Sequence, residues 1–360
     1  MALDRAGTRP VAAPDLYARA ARQSVVLLGE THESADDHRW QLQALAALHA
    51  LRPDMTLAFE MFPRRAQPVL DRWVAGELSE TEFLGAVDWR KVWNVDAQLY
   101  LPLFHFARMN RVPMLALNVE RELIRDISAR GLDAVPADRR EGVTRPARPS
   151  EAYVDFLLGV YAQHERTGSN AGKADRNDPA FRRFVESQQF WDRAMAQGIA
   201  AAAARRPAPL VVGILGKGHV QNGFGVPSQL KDLDVAAVVS LLPWERGSDC
   251  GALAGGYADA VFGLAPAPKS PAPPRPRLGV QIEQAEDGVR IREVEKGSIA
   301  EAAGLRGGDI VSEVAGRPSK LSEDLIVAVQ RQAPGTWLPL KVRRGGDTLD
   351  VVAKFPPAAK

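Results

Sequence analysis

Through the first two thirds of the chain, short apolar runs alternate with longer stretches whose apolar residues recur at helical spacing. Ser24–Gly29, Met55–Glu60, Val112–Asn118 and Leu210–Gly216 are runs of aliphatic and β-branched residues bounded by polar ones, and they predict buried strands, with Val235–Leu242 a fifth. Between them His38–Leu51, Gln67–Trp73, Leu99–Asn110 and Arg121–Arg130 carry the three-and-four spacing of amphipathic helices. Strands that read apolar throughout, separated by helices, predict an α/β fold with a mainly parallel sheet flanked by helices. The rhythm breaks once. Ser150 can cap a helix running to Glu165, a polar loop rich in Gly, Asn and Asp covers Arg166–Pro179, and a second helix runs from Ala180 to Arg205. This pair reads as an inserted helical hairpin beside the sheet.

Proline then divides the chain. Leu264–Arg277 holds prolines at 266, 268, 271, 273, 274 and 276, a composition that forms an extended polyproline spacer and no ladder or helix. The organisation predicted is a flexible leader over 1–16, an α/β domain over 17–263, a Pro-rich linker over 264–276 and a small mixed α+β domain over 277–356. All six histidines precede the linker, so imidazole chemistry belongs to the large domain.

Charge and cysteine content narrow the function. Lys and Arg number 46 against 44 Asp and Glu, which lacks the basic excess of a nucleic-acid surface. The single cysteine, Cys250, excludes an intramolecular disulfide and a Cys-rich metal site. No run is long and apolar enough to span a membrane, and Asp4, Pro10, Pro14 and Asp15 break up the start of the chain as a signal peptide. The sequence as it stands therefore reads as cytoplasmic.

The polar residues at the predicted strand ends form one pattern. The first strand ends in Gly29-Glu30-Thr31-His32, the second in Phe59-Glu60-Met61-Phe62, the third in Leu117-Asn118 and the fourth in Gly216-Lys217-Gly218-His219. Parallel strands bring these ends to one edge, where open α/β folds place their sites. Glu30, His32, Glu60 and His219 can there ligate a divalent metal ion or act as catalytic acid and base. Gly29, Gly216 and Gly218 suit turns that pass close beneath a ligand. Asn at a strand end is commonly a turn former, and His38 and His49 read as packing or helix-surface residues.

Taken in order, these segments carry a resemblance. Gly29-Glu30-Thr31-His32, Phe59-Glu60-Met61-Phe62, Tyr100 leading into Val112–Asn118, Gln189–Ala196 and Gly216-Lys217-Gly218-His219-Val220 with Gly225-Val226-Pro227 resemble the ChaN-like haem-binding family of the Tiki/erythromycin-esterase-like superfamily, from about Val25 to Leu242. The resemblance implies haem as cofactor, a role in iron or haem uptake, a tyrosine as haem ligand, and haem paired at a homodimer interface. Superfamily relatives include metal-dependent hydrolases that use the Gly-x-x-His and Glu positions, which makes a metal-dependent peptidase or esterase the alternative reading. Relatives are often exported or lipoproteins, so a periplasmic or membrane-associated place is the alternative to the cytoplasm.

A porphyrin needs an apolar slot, an axial ligand and cations for its propionates. The strand-end crevice is too acidic for that. The hairpin offers Tyr153, Phe156, Leu157, Val160 and Tyr161 on its first helix and Phe181, Phe184, Phe190 and Trp191 on its second, with Arg166, Arg182 and Arg183 nearby. Tyr161 is the first candidate ligand, followed by Tyr153 and His164. Tyr100, on a sheet-covering helix, reads as packing.

From Arg277 onward the chain resembles a bacterial-type PDZ domain. Leu278-Gly279-Val280 matches the carboxylate-binding loop, while Gly297-Ser298-Ile299-Ala300, Ala303-Gly304-Leu305 and Gly308-Asp309-Ile310-Val311 match the core turn and the strand after it. This implies capture of the C-terminus of a partner peptide or protein in a groove walled by the helix Glu323–Arg331 and lined by Ile326 and Val329.

Overall fold

The computed structural model describes residues 1–4, 7–166, 175–245, 248, 253, 256–265 and 276–357. Most of the Pro-rich linker, much of the predicted loop after Arg166, and Cys250 lie outside the described residues, as do the side chains of His164 and Arg166. The chain divides into two compact units, Met1–Ala267 and Pro268–Lys360.

The first unit contains strands β1 (Ala2–Asp4), β2 (Gly7–Arg9), β3 (Val25–Glu30), β4 (Met55–Pro63), β5 (Met114–Asn118), β6 (Leu210–Gly216), β7 (Val238–Glu245) and β8 (Ala260–Leu264). Its helices are α1 (Ala13–Ala20), α2 (Ala35–Leu51), α3 (Gln67–Ala75), α4 (Glu80–Ala86), α5 (Trp89–Val92), α6 (Ala97–Met109), α7 (Arg121–Arg130), α8 (Glu151–Arg166), α9 (Pro179–Ala203) and α10 (Gly225–Asp232). The strands form one sheet in the order β2-β1-β8-β7-β3-β6-β4-β5. From β8 to β5 all pairings are parallel, and β1 and β2 add an antiparallel edge. The predicted α/β fold is present, with α8 and α9 as the hairpin.

Local chemistry sets the helix starts. Ser34 caps α2 by accepting from the Asp37 amide, Ser79 and Glu82 close a capping box on α4, and Asp178 caps α9 with Pro179 in its first turn. β3, β4 and β6 are buried along their whole length, so alternate residues feed two separate cores. Val26, Leu28, Phe59 and Ile214 pack with Trp40 and Phe104 on the face covered by α2 and α6. Val25, Leu27, Ala58 and Leu215 pack with Met195 and Ile199 of α9 on the other.

Some boundaries differ from the sequence reading. The predicted leader forms β1, β2 and the start of α1. β8 ends at Leu264, the first residue of the predicted spacer, and completes the parallel sheet beside β7. β4 runs three residues past Glu60, so that carboxylate sits within the strand, and Pro63 pairs with Asn118.

The second unit is a separate antiparallel sheet built from β9 (Val280–Ala285), β10 (Gly288–Val294), β11 (Ile310–Val314), β12 (Arg317–Pro318), β13 (Trp337–Arg344) and β14 (Asp347–Lys354), with helices α11 (Ile299–Ala302) and α12 (Ser322–Gln330). The strand order is β14-β13-β11-β10-β9, with β12 paired to β11. Leu278, Ile291, Leu325, Leu340 and Phe355 belong to its core.

Candidate functional site

β3, β6 and β4 are neighbours in the sheet, and the Glu30–Gly216 register pair aligns the carboxyl ends of the first two. Residue parity then divides the polar groups between the faces. Glu30 continues the Val26–Leu28 row toward α6, whereas Glu60 continues the Ala58 row toward α9.

On the first face Glu30 is almost fully buried, and its Oε1 meets Nδ1 of His32 at 2.6 Å. The Tyr100 hydroxyl donates to the same oxygen at 3.1 Å. Tyr100 is buried, and burial together with the Glu30 charge pushes its phenol far above the ordinary range, so it keeps its proton. The Trp93 ring stands edge-on to His32 with centroids 4.7 Å apart. His38 supports the turn from α2, its Nε2 lying 3.0 Å from the His32 carbonyl.

The second face repeats the arrangement. Nδ1 of His219 lies 2.7 Å from Oδ1 of Asp192, and the Tyr153 hydroxyl donates to Oδ2 of that carboxylate at 2.6 Å. The Trp191 ring packs on His219 at 5.3 Å. Asp192 has no measurable exposure, and burial together with its charge raises the Tyr153 phenol well above its usual range. Gly225, at φ +52°, leaves the space that lets these groups meet: a Cβ there would lie 2.6 Å from the His219 carbonyl oxygen and 2.9 Å from Asp192.

Glu60 stands where the two faces meet. Its Oε2 accepts the Gly216 amide at 2.6 Å, and its Oε1 is 3.6 Å from Nε2 of His219. A Cβ on Gly216 would come within 2.7 Å of the His32 ring and 3.5 Å of Glu60, so both groups crowd the same glycine. Burial works against a charge on His219, but the Glu60, Asp192 and Glu30 carboxylates outweigh it and push its pKa up to about 9. His32 is raised for similar reasons: the Glu30 bond and the Glu60 charge overcome its burial. Asn118 donates to the Glu60 carbonyl at 3.0 Å and accepts from the Val119 amide, a backbone-holding role.

The four strand-end residues therefore stand around one crevice, but as paired groups. Each imidazole gives its Nδ1 to a carboxylate, and Glu60 is bound to a backbone amide. Among the described residues no three His, Cys, Asp or Glu side chains are grouped to hold a metal ion.

Two aspects differ from the sequence reading. Tyr100 bonds to Glu30 in addition to packing, and Asp192, which the sequence reading left without a role, joins the hairpin to the crevice. Both lie on buried helical stripes, Val185-Gln189-Asp192-Ala196-Ile199 and Tyr100-Leu103-Phe104-Ala107. A buried acid or phenol on such a stripe needs a partner, and that is the signal that identifies them.

The haem candidates differ in their surroundings. Tyr153 is buried and committed to Asp192. Tyr161 is half-buried, its ring 5.5 Å from Phe181 and 5.3 Å from Phe184. His164 lies in α8, with its side chain outside the described residues. Phe156, Phe184 and Phe224 are also half-buried around Tyr153 and Tyr161, and Arg182 is exposed on α9. Arg183 donates to the Ser128 carbonyl.

In the second unit Gly279 has φ +79°, and a Cβ there would lie 2.3 Å from that of Ser298. The Leu278 and Gly279 carbonyls accept from Ala300 and Glu295, which fixes the loop at the start of β9. β9 is the last strand of its sheet. Ile326 of α12 is partly exposed, whereas Leu278 and Val329 are buried in the core.

Known proteins agree with this division. Residues 16–230 match the family described as haem-binding uptake, Tiki superfamily, ChaN, and residues 276–354 match the PDZ domain. ChaN of Campylobacter jejuni, solved for its cofacial haem binding, is 19% identical, covers 72% of this chain and 94% of its own, and superposes with a TM-score of 0.57. The HtrA3 PDZ domain bound to a phage-derived ligand is 29% identical over 22% of this chain and 83% of its own, with a TM-score of 0.20. The serine endoprotease from Yersinia pestis is 24% identical over 24% of this chain and 30% of its own, with a TM-score of 0.21. No curated protein matches the chain. With the family covering more than half of its length, the chain belongs to the ChaN haem-binding family of the Tiki superfamily, and it carries a PDZ domain after the family region.

Proposed function

We propose that this protein binds haem on the α8–α9 hairpin in the service of iron or haem handling, and that its PDZ domain recruits a partner through that partner's C-terminus. The observation that carries the haem reading is the half-buried ring cluster of Phe156, Tyr161, Phe184 and Phe224, with Arg182 exposed on the same hairpin. These residues fit the group: rings for the porphyrin face, a guanidinium for a propionate and a phenol for the iron. Tyr161 is the favoured ligand, because Tyr153 would have to break its bond to Asp192 and lose a strongly held proton. Haem held there would supply an iron centre whose redox chemistry depends on the pocket around it. Titration of the full chain with haemin, followed by absorption and by sedimentation for a haem-linked dimer, tests the reading. A chain that takes up no stoichiometric haem refutes it.

A second reading, a hydrolase using Glu30, His32, Glu60 and His219, draws its support from the two imidazole–carboxylate pairs at the strand ends. In both pairs the carboxylate takes Nδ1 and leaves Nε2 for proton transfer. The PDZ reading rests on the positive-φ Gly279 loop at the head of an edge strand, the arrangement that offers backbone to a carboxylate and a ladder to a peptide.

A further inference from the structure

Tyr100–Glu30–His32 and Tyr153–Asp192–His219 are two copies of one arrangement, reached from opposite faces of the sheet. In each a buried phenol donates to a buried carboxylate, and the carboxylate faces Nδ1 of an imidazole. The phenols cannot serve as bases while their protons are so firmly held. Each carboxylate therefore has one strong use, to keep a proton on Nδ1 and leave Nε2 to act. Nε2 of His219 then faces Glu60, and the His32 ring borders Gly216, against which Glu60 also lies. Three further polar atoms on these residues and the rings packed against them, Oε2 of Glu30 and Nε1 of Trp93 and of Trp191, are buried with no hydrogen-bond partner among the described residues. An orphaned acceptor and two orphaned donors are costly unless something fills them.

We propose that Glu30 and Asp192 are positioning residues, each fixing the tautomer of one imidazole and each held by a tyrosine, so that His32 and His219 present Nε2 to a small ligand that both gives and accepts hydrogen bonds. The inference rests on reading the crevice as a reactive site, and it assigns the division of labour there. His32 and His219 exchange protons with the ligand, Glu60 lies beside them, and Glu30, Asp192, Tyr100 and Tyr153 act through others.

The test uses the full chain labelled with 15N-histidine, with His219→Gln and His32→Gln variants to assign the rings. Above the pH at which the 15N shifts of both rings stop changing, wild type should show His219 and His32 protonated on Nδ1, the form a carboxylate partner selects. Asp192→Leu should lose that form for His219 and leave His32 unchanged, and Asp192→Asn, whose single oxygen takes the Tyr153 hydroxyl and whose NH2 then faces Nδ1, should switch His219 to the Nε2-protonated form. Glu30→Leu should lose the Nδ1 form for His32 and leave His219 unchanged. A wild-type His219 protonated on Nε2, or an Nδ1 form that survives Asp192→Leu in folded protein, overturns the proposal. Hydrolysis of p-nitrophenyl acetate by the same samples tests the underlying reading separately. Loss of at least about tenfold in both Asp192→Leu and Asp192→Asn supports both. No wild-type hydrolysis with the tautomers as stated removes the hydrolase reading and supports the positioning assignment.

Discussion

The Tyr153 hydroxyl, on the first arm of the hairpin, donates to Asp192 on the second at 2.6 Å, a bond buried from water at both ends. Asp192 uses its other oxygen to hold His219, so one carboxylate joins the α8–α9 hairpin to the strand ends. Tyr153→Phe keeps the ring packing and leaves one carboxylate oxygen without its donor. It should cost about 1–3 kcal/mol, the penalty for a buried acceptor left unsatisfied. Urea unfolding of the two proteins checks this, and equal midpoints would show that the bond contributes nothing.

Haem binding should separate the two tyrosines. Tyr161→Phe removes a phenol from the ring cluster of Phe181 and Phe184 while keeping the ring, so it should weaken haemin binding and shift the Soret band. Tyr153→Phe should leave the band in place. A shift in the second variant alone would move the ligand to Tyr153.

Alkaline pH should weaken the fold through His219. Its folded-state pKa of about 9 exceeds the ordinary value of 6.5, so the folded chain binds the extra proton between those limits. That contribution, on the order of 3 kcal/mol, is complete below about pH 6.5 and disappears as pH rises through about 9. Melting temperature should fall between neutral pH and about pH 10 in wild type, and much less in His219→Gln. Parallel pH profiles for the two proteins would refute this origin.

Gly216 should not accept even alanine. The added methyl would lie 2.7 Å from the His32 ring, with Glu60 behind it, in a strand buried on both faces. Gly216→Ala should cost about 1–3 kcal/mol, the usual range for overpacking, and should displace the His32 resonances. Gly218, with open space around its Cβ position, should take the same substitution at little cost.

Peptide binding should depend on a free carboxylate. The full chain should bind a peptide ending in a small or branched apolar residue and lose it on amidation, because the Leu278–Val280 loop is read as the carboxylate holder. Gly279→Ala should lose binding as well, since Ser298 fills the space its Cβ would need and its φ disfavours a side chain. Binding that ignores amidation would end the recruitment role.

The strands were legible because burial on both faces leaves an uninterrupted apolar run, as Val25–Leu28 and Leu210–Leu215 show. Their polar ends were legible for the same reason: Glu30, Glu60 and His219 interrupt or follow such runs. The partners that decide what those ends can do were harder to read. Tyr100 is 70 residues from Glu30, and Asp192 is 27 from His219 and 39 from Tyr153. Nothing in local spacing joins positions so far apart. The crevice and the hairpin read as two sites, because only the docking of α9 on the sheet makes Asp192 part of both. The edge strands β1 and β2 were missed because three-residue strands carry no periodicity to detect.

β9 ends its sheet, and an end strand is open to any extended chain, including another copy of this one. The same opening proposed to admit a partner's terminus is thus a hazard whenever it stands empty. β9 is only six residues long, and Glu283 puts a carboxylate on it, near Arg290 and Arg292 of β10. Gln284, one residue from its end, reaches across to the Lys320 carbonyl and accepts from the Ser322 amide at the start of α12. Shortness, charge and this lateral tie all discourage self-pairing, so the strand can stay available to peptides without drawing the protein into aggregates.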